Sequence, residues 1–303
     1  MLAFSTCWNS ERAQTGEEML EEILDLGFDN VELGHGVRVS LFHGILKFAE
    51  SGRIKITSLH NYCPLPVEIQ KPSPNCYEFT SHRAHDRERA HRLTKQTIDY
   101  AAKLGAVSVV MHLGSVRTLH VTDQLWKLLK EGHYLSKEYA RIKLEGVIKR
   151  ERASAHYLAR VYEYLAPLLE YAAAKDVQLA VENRDRYEDI PSEREFPSLF
   201  ERFQTPYLGY WHDFGHAQLK ENLALMNHRE WLAEIGSKTF GCHLHDASWP
   251  NRDHKPPFEG EIKFEQLVPF LPKNTPFILE MNPRVSAESI RLAAERWQRV
   301  FDS

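Results

Sequence analysis

The sequence predicts an α/β fold: a single (β/α)8 barrel of the TIM type over residues 1–303, with a helical insertion after the fourth strand. Three observations predict it. Short apolar runs alternate with amphipathic helical stretches along the whole chain. The joints Leu26-Gly27-Phe28-Asp29-Asn30-Val31 and Leu104-Gly105-Ala106-Val107 repeat one unit of helix, glycine stop, short turn and buried strand. Residues able to bind a metal or move protons recur at the ends of the strands rather than along the helices.

In order, residues 2–6 form the first strand, followed by Cys7-Trp8-Asn9. Thr15 and Glu18 fit a capping box, in which hydroxyl and carboxylate satisfy free N–H groups at a helix start. Met19, Leu20, Ile23, Leu24 and Leu26 mark the helix face, which stops at Gly27. Strand two covers 30–33, its helix 41–48, and strand three 54–60. Residues 61–84 form a long proline-containing loop without period, which suggests a functional lid or rim. A helix at 87–104, stopped by Gly105, leads to strand four at 107–112. The charged stretch 113–152 reads as the insertion, either a solvated helical excursion or a substrate lid. A long helix at 153–174 precedes strand five at 177–183. A polar, mobile-looking loop at 184–194 and a short helix lead to strand six at 207–211. Helix in two pieces covers 217–235, strand seven 239–246, and a second long loop 247–262. A helix at 264–271, strand eight at 277–280 and a helix at 287–301 close the barrel.

The composition, 43% apolar and 26% charged, suits a globular chain with a full core. No apolar run approaches the roughly 20 residues that span a bilayer, and the first residues lack the basic flank of a signal peptide. Cys7, Cys63, Cys76 and Cys242 form no CxxC pair, which suits a reducing compartment; the expectation is a cytoplasmic protein without a membrane partner. The formal net charge of −4 counts against nucleic acid as the main partner.

The strand ends from two to eight carry Glu32, His60, His112, Glu182, Asp213, His243 with His245, and Glu280. A barrel of this kind builds its active site at that face, so the cluster reads as a metal site. Asp213 has a rival role as the N-cap of the following helix. Strand alternation turns Ala180 inward with Glu182, and Trp211 and Gly209 inward with Asp213; His212 then faces the helix layer. Glu182, Asp213, His243 and Glu280 together offer three carboxylates and one imidazole. That set suits Mn²⁺, Mg²⁺ or Co²⁺, with Zn²⁺ also accommodated.

The pieces SLHNY (58–62), VMHLGS (110–115), AVENR (180–184), HDFGHA (212–217), HLHDA (243–247), RDHKPPFEGEIKF (252–264) and ILEMN (278–282) resemble, in order, the xylose-isomerase-like TIM-barrel superfamily. Sugar and sugar-phosphate isomerases and epimerases belong to it, as do apurinic endonucleases of the endonuclease IV type. The resemblance to the epimerases implies one metal held by Glu182, Asp213, His243 and Glu280, with His216 as a substrate contact or second-metal ligand. The endonuclease branch holds three zinc ions and adds histidines that match His60, His112 and His254. Its D-x-H pair is not met, since Arg252 stands two residues before His254. Pro256-Pro257-Phe258-Glu259-Gly260-Glu261 resembles the isomerases' proline-glycine-glutamate-glycine loop, with Phe258 in place of a glycine.

The function expected is therefore a metal-dependent isomerase or epimerase of a sugar or related polyol. Glu182 and Glu280 would be the catalytic acid and base, moving a proton through an enediolate. His60, His112, His216 and His254 would hold a second metal or contact substrate. Trp8, Tyr62, His245, Trp249 and Arg252 would bind the substrate, with Lys255 in the same loop as Arg252. The alternatives are a zinc-dependent phosphodiesterase of the apurinic endonuclease type and a catalytically inactive metal-binding barrel. Related isomerases are often dimers or tetramers, so a homo-oligomer is expected.

Overall fold

A computed structural model of the chain describes residues 1–117 and 120–301; Thr118 and Leu119 of the expected insertion lie outside the described residues. Eight parallel strands close a barrel. They are β1 (Leu2–Ser5), β2 (Asn30–Leu33), β3 (Lys55–His60), β4 (Ser108–Met111), β5 (Gln178–Glu182), β6 (Leu208–Asp213), β7 (Thr239–Leu244) and β10 (Phe277–Leu279). Around the ring the order is β1-β10-β7-β6-β5-β4-β3-β2. The sequence did not indicate a small antiparallel hairpin, β8 (Asp246–Ser248) with β9 (Arg252–Lys255), inside the loop after β7. Its charged, proline-flanked residues show no alternation of apolar and polar side chains.

Two-residue periodicity builds the barrel interior. Ala3, Val110, Ala180, Trp211 and Ile278 pack against one another as a separate apolar plug. Each lies an even number of residues below a polar strand end, so the plug is the floor on which the site stands. His212 turns outward as expected, hydrogen-bonded to Tyr210 (2.9 Å) and His228 (3.0 Å).

Helices α1 (Gly16–Asp25), α2 (Phe42–Glu50) and α3 (Ala84–Leu104) cover the first strands. The capping box of Thr15 and Glu18 is present in α1, and Gly27 (φ 97°) and Gly105 (φ 69°) take the left-handed conformation that stops α1 and α3. Further round are α6 (Phe196–Arg202), α7 (Phe214–Asn222), α8 (His228–Ile235), α9 (Phe264–Leu267) and α10 (Ala287–Phe301). Among the described residues no helix is long and apolar enough to cross a membrane.

The region after β4 departs from expectation. Following α4 (Val121–Lys130), one continuous helix, α5, runs from Lys137 to Ala173, so no boundary falls near residue 152. Ser136 caps it by accepting the Tyr139 N–H at 3.1 Å. Its buried stripe starts with Tyr139, Gly146, Arg150 and Ser154 and becomes aliphatic only at Val161 and Leu165. Polar and small residues on the buried side hid the helix from hydrophobic periodicity.

Arg150, in the stretch read from sequence as a solvated helical excursion or a substrate lid, is fully buried. Its guanidinium grips both carboxylate oxygens of Glu195 and donates to the backbone carbonyls of Tyr187 (3.1 Å) and Asp189 (2.8 Å). The loop after β5, expected to be mobile, is thereby fastened to α5, with Tyr187, Glu188, Asp189, Ile190 and Ser192 all buried. Arg150→Met should strand the Glu195 carboxylate without its partner and cost about 3–5 kcal/mol of stability. Urea denaturation checks this; an unchanged midpoint would show that the loop does not depend on the pair.

Candidate metal centre

The strand-end residues converge at the C-terminal mouth of the barrel around the carboxylate of Glu182, which ends β5 and is 1% exposed. Its Oε2 lies 2.6 Å from His112 Nε2 and 3.4 Å from His60 Nε2. Its Oε1 lies 3.2 Å from both His243 Nδ1 and His216 Nδ1. Asp213 and Glu280 complete the second half: His243 Nδ1 is 3.8 Å from Asp213 Oδ2 and 3.3 Å from Glu280 Oε2.

Hydrogen bonds on the far side of each ring fix which nitrogen carries the proton. His60 Nδ1 faces the carbonyl oxygen of Asn61 at 2.9 Å, so it is the donor and Nε2 keeps its lone pair. His112 Nδ1 faces Asn75 Oδ1 at 2.9 Å, with the same consequence. His243 is turned the other way. Its Nε2 points at the Glu32 carboxylate (3.1 Å), leaving the Nδ1 lone pair toward Glu182, Asp213 and Glu280. Glu32 is itself held by Ser5 Oγ (3.1 Å) and Ser58 Oγ (2.9 Å). Among the polar strand ends, Glu32 therefore stands behind His243. A carboxylate behind a metal-binding imidazole orients the ring and raises its basicity.

Imidazole lone pairs pressed against carboxylate oxygens repel unless a cation lies between them. The described residues form three groups whose ligand atoms lie within 4.8 Å of one another: His60, His112 and Glu182; Glu182, Asp213 and His243; and His245, His254 and Glu280. The donor set fits a divalent ion. Without one, protons take its place. Burial works against charging His216, yet Asp213 and Glu182 raise it to about 9. His254 is likewise raised to about 9, against burial, by its hydrogen bond to Asp253. His243 is pushed well up by Glu280, Glu32 and Glu182 despite burial. Burial would raise Glu182, but its histidine neighbours, His243 and His216 among them, hold it well below the usual carboxylate range, whereas His112 stays neutral, pushed well below the usual imidazole range by burial and by Arg184.

Asp213 does two jobs. Oδ1 accepts the backbone N–H of His216 (2.7 Å) and so caps α7, while Oδ2 faces the site. The Asn183 side chain brackets the same residue, accepting its N–H (2.7 Å) and donating to its carbonyl (2.9 Å). Asp246 organises the loop after β7, accepting N–H groups from Ala247 (2.8 Å), Gly260 (2.9 Å) and Ile262 (3.1 Å). That loop carries His254, whose Nε2 comes to 3.8 Å from Glu280 Oε2.

The residues expected to contact substrate lie at different depths. Trp8 is buried, with its indole N–H on the Val285 carbonyl (2.9 Å), and Tyr62 is buried, with its hydroxyl on the Tyr77 carbonyl (2.7 Å). His245 has both nitrogens engaged within the protein, Nε2 at Asp213 Oδ2 (3.1 Å) and Nδ1 at the His254 N–H (3.0 Å). Trp249 is 43% exposed, edge-on to Tyr134, and Arg252 is exposed at the start of β9. Sequence reasoning missed Arg184, whose Nη1 lies 3.6 Å from Glu182 Oε1 and 3.3 Å from His216 Nδ1. Its position two residues after Glu182, on the same face by alternation, was the available signal. His35 was also missed; its ring lies 5.2 Å from that of His60, and burial lowers it to about 3. Asn75, Ser115, Arg186, Glu188 and Asp189 line a cavity of about 600 Å³ beside His112.

Residues 20–299 match the family model described as xylose isomerase-like TIM barrel. The chain belongs to this family. A curated relative, the uncharacterized protein y4fM of Sinorhizobium fredii (strain NBRC 101917 / NGR234), is 25% identical over 225 residues; the match covers 73% of this chain but only 59% of the relative. The crystal structure of a D-tagatose 3-epimerase-like protein superposes with a TM-score of 0.70 at 15% identity, covering 99% of this chain and 97% of that one. The IOLI protein, solved with a binding zinc atom, gives 0.67 at 14% identity over 99% and 98% of the two chains. At such identities the likeness shows the fold.

The raised histidines give a pH prediction. A pKa lifted from 6.5 to about 9 stabilises the folded protein fully below 6.5, and that contribution is lost as pH rises through 9. The metal-free protein should lose thermal stability over that window. Cation binding at pH 7.5 should release protons, and its affinity should rise with pH up to about 9. Calorimetry in buffers of different ionisation enthalpy reads the release; binding without it would contradict the arrangement.

Proposed function

We propose that the protein is a metal-dependent isomerase or epimerase of a sugar or related polyol, acting by proton transfer at the carbon beside a carbonyl. The observation that carries this is the convergence of Glu182 and Glu280 on one nitrogen of His243, at 3.2 and 3.3 Å. The two carboxylates reach it from β5 and from the residue after β10, with β6 and β7 between them in the ring. A carbon held between them can lose a proton to one and regain it from the other. Glu182 enters in its ionised form, because its neighbours hold it well below the usual carboxylate range.

Glu182, Asp213, His243 and Glu280 would hold the divalent cation, with Mn²⁺, Co²⁺, Mg²⁺ and Zn²⁺ all compatible with oxygen-rich ligation. When bound there, the cation supplies positive charge that stabilises the negative charge developing on the substrate oxygens. Arg184, beside Glu182, is placed to hydrogen-bond a substrate hydroxyl. The IOLI protein's zinc atom and the neighbour described as D-tagatose 3-epimerase-like support this reading.

One observation favours a second reading, the two-cation hydrolysis of a phosphodiester. The His60 and His112 lone pairs meet the opposite oxygen of the same Glu182, and a shared carboxylate is how paired metal sites are built.

The test is ¹H NMR of cation-loaded protein with a panel of ketoses in D₂O. Deuterium should enter at the carbon next to the carbonyl, and Glu182→Gln or Glu280→Gln should slow this by about 10²–10⁴-fold. No exchange with any sugar, together with cleavage of DNA containing an abasic site, would establish the hydrolase instead.

A further inference from the structure

We propose that His245 is a positioning residue that holds Asp213 for its cation and, by its tautomer, closes the group His245–His254–Glu280 to any cation. The inference rests on the reading of the barrel mouth as a metal centre.

The argument is one of proton bookkeeping. A backbone N–H can only donate, so His245 Nδ1, 3.0 Å from the His254 N–H, must offer a lone pair. A neutral imidazole has a single N–H, which is then on Nε2. That nitrogen lies 3.1 Å from Asp213 Oδ2 and donates to it. His245 is thus opposite in sense to His60, His112 and His243, which turn lone pairs toward the carboxylates. A nitrogen carrying a proton cannot ligate, so the third group lacks one of its three donors despite their proximity.

The ring is locked in this pose. It stacks on His254 with centroids 4.2 Å apart and planes 11° from parallel. It also lies against the first turn of α7, where a Cβ on Gly215 would come to 2.0 Å from His245 Cε1. Only glycine at 215 admits the imidazole. Asp213 is therefore fixed at both oxygens, Oδ1 by the α7 backbone and Oδ2 by His245, with the second lone pair of Oδ2 left for a cation. Partners of this kind, which touch the ligand rather than the ion, typically change metal affinity 10–100-fold.

The experiment titrates metal-free protein with Zn²⁺ against a competing chelator, for wild type, His245→Phe and His245→Gln, with bound zinc counted after dialysis. The expected result is no more than two zinc ions per wild-type chain. His245→Phe should keep the number but weaken one site about 10–100-fold. His245→Gln restores an N–H donor at the Nε2 position and should bind within about threefold of wild type. A third equivalent in wild type, lost alike in both variants, would make His245 a ligand and overturn the proposal. Unchanged affinity in His245→Phe would overturn it too. Should that variant fail to fold, ¹⁵N-correlated NMR of the zinc-loaded wild type decides the tautomer: an Nε2–H signal is expected, and an Nδ1–H signal would refute it. If wild type binds no zinc while His245 still shows Nε2–H, the failure lies with the metal centre.

Discussion

The mouth of the barrel depends on one buried charge. Glu182 is almost fully enclosed, and an isolated carboxylate there would be too costly to keep ionised. Its two oxygens are divided between two sets of partners: His60 and His112 on one side, His216 and His243 on the other, with Arg184 beside them. Those partners need their own supports. Asn75 reaches in from the long loop after β3 to hold His112, while Ser5, Ser58 and Glu32 from β1, β3 and β2 form the chain behind His243. Six of the barrel's strands therefore serve the placement of a single carboxylate, which is why the polar residues sit at one level of the barrel.

The loops that close the site are held from behind by buried polar anchors rather than by apolar packing alone. Arg150 fastens the loop after β5, and Asp246 gathers three N–H groups of the loop after β7. Satisfied buried networks of this kind favour one loop conformation over many, because every alternative leaves a buried group unpaired. Precision at Glu182, Asp213 and His254 follows from these anchors.

How far the sequence could be read follows from the same physics. Strand alternation and helix stops are local, so the inward set Ala180, Glu182, Trp211 and Asp213, the outward His212 and the stops at Gly27 and Gly105 were legible. Burial decided by distant elements was not. Arg150, between Lys149 and Glu151, looks solvated, and nothing nearby announces that Glu195 and two carbonyls wait for it. Trp8 and Tyr62 share the loop positions of exposed aromatics, and only the fold shows that Val285 and Tyr77 occupy their polar atoms. The direction of each imidazole is further still from the sequence. HLHDA places His243 and His245 on one face, yet their far-side partners, Glu32 and the His254 N–H, give them opposite tautomers.

Asp213 shows why two readings of one residue need not compete. A cap needs one acceptor, and a carboxylate has two oxygens. When a helix begins directly after a strand, an aspartate at the junction gives Oδ1 to the helix N–H groups and turns Oδ2 toward the barrel axis. The positive end of the α7 dipole favours the ionised form, which is the form a cation requires. The cap also sets the position of His216, since the N–H that Asp213 accepts is that residue's own, and its ring returns to within 3.2 Å of Glu182. Capping is thus the means by which β6 and α7 deliver a carboxylate and an imidazole to the same place.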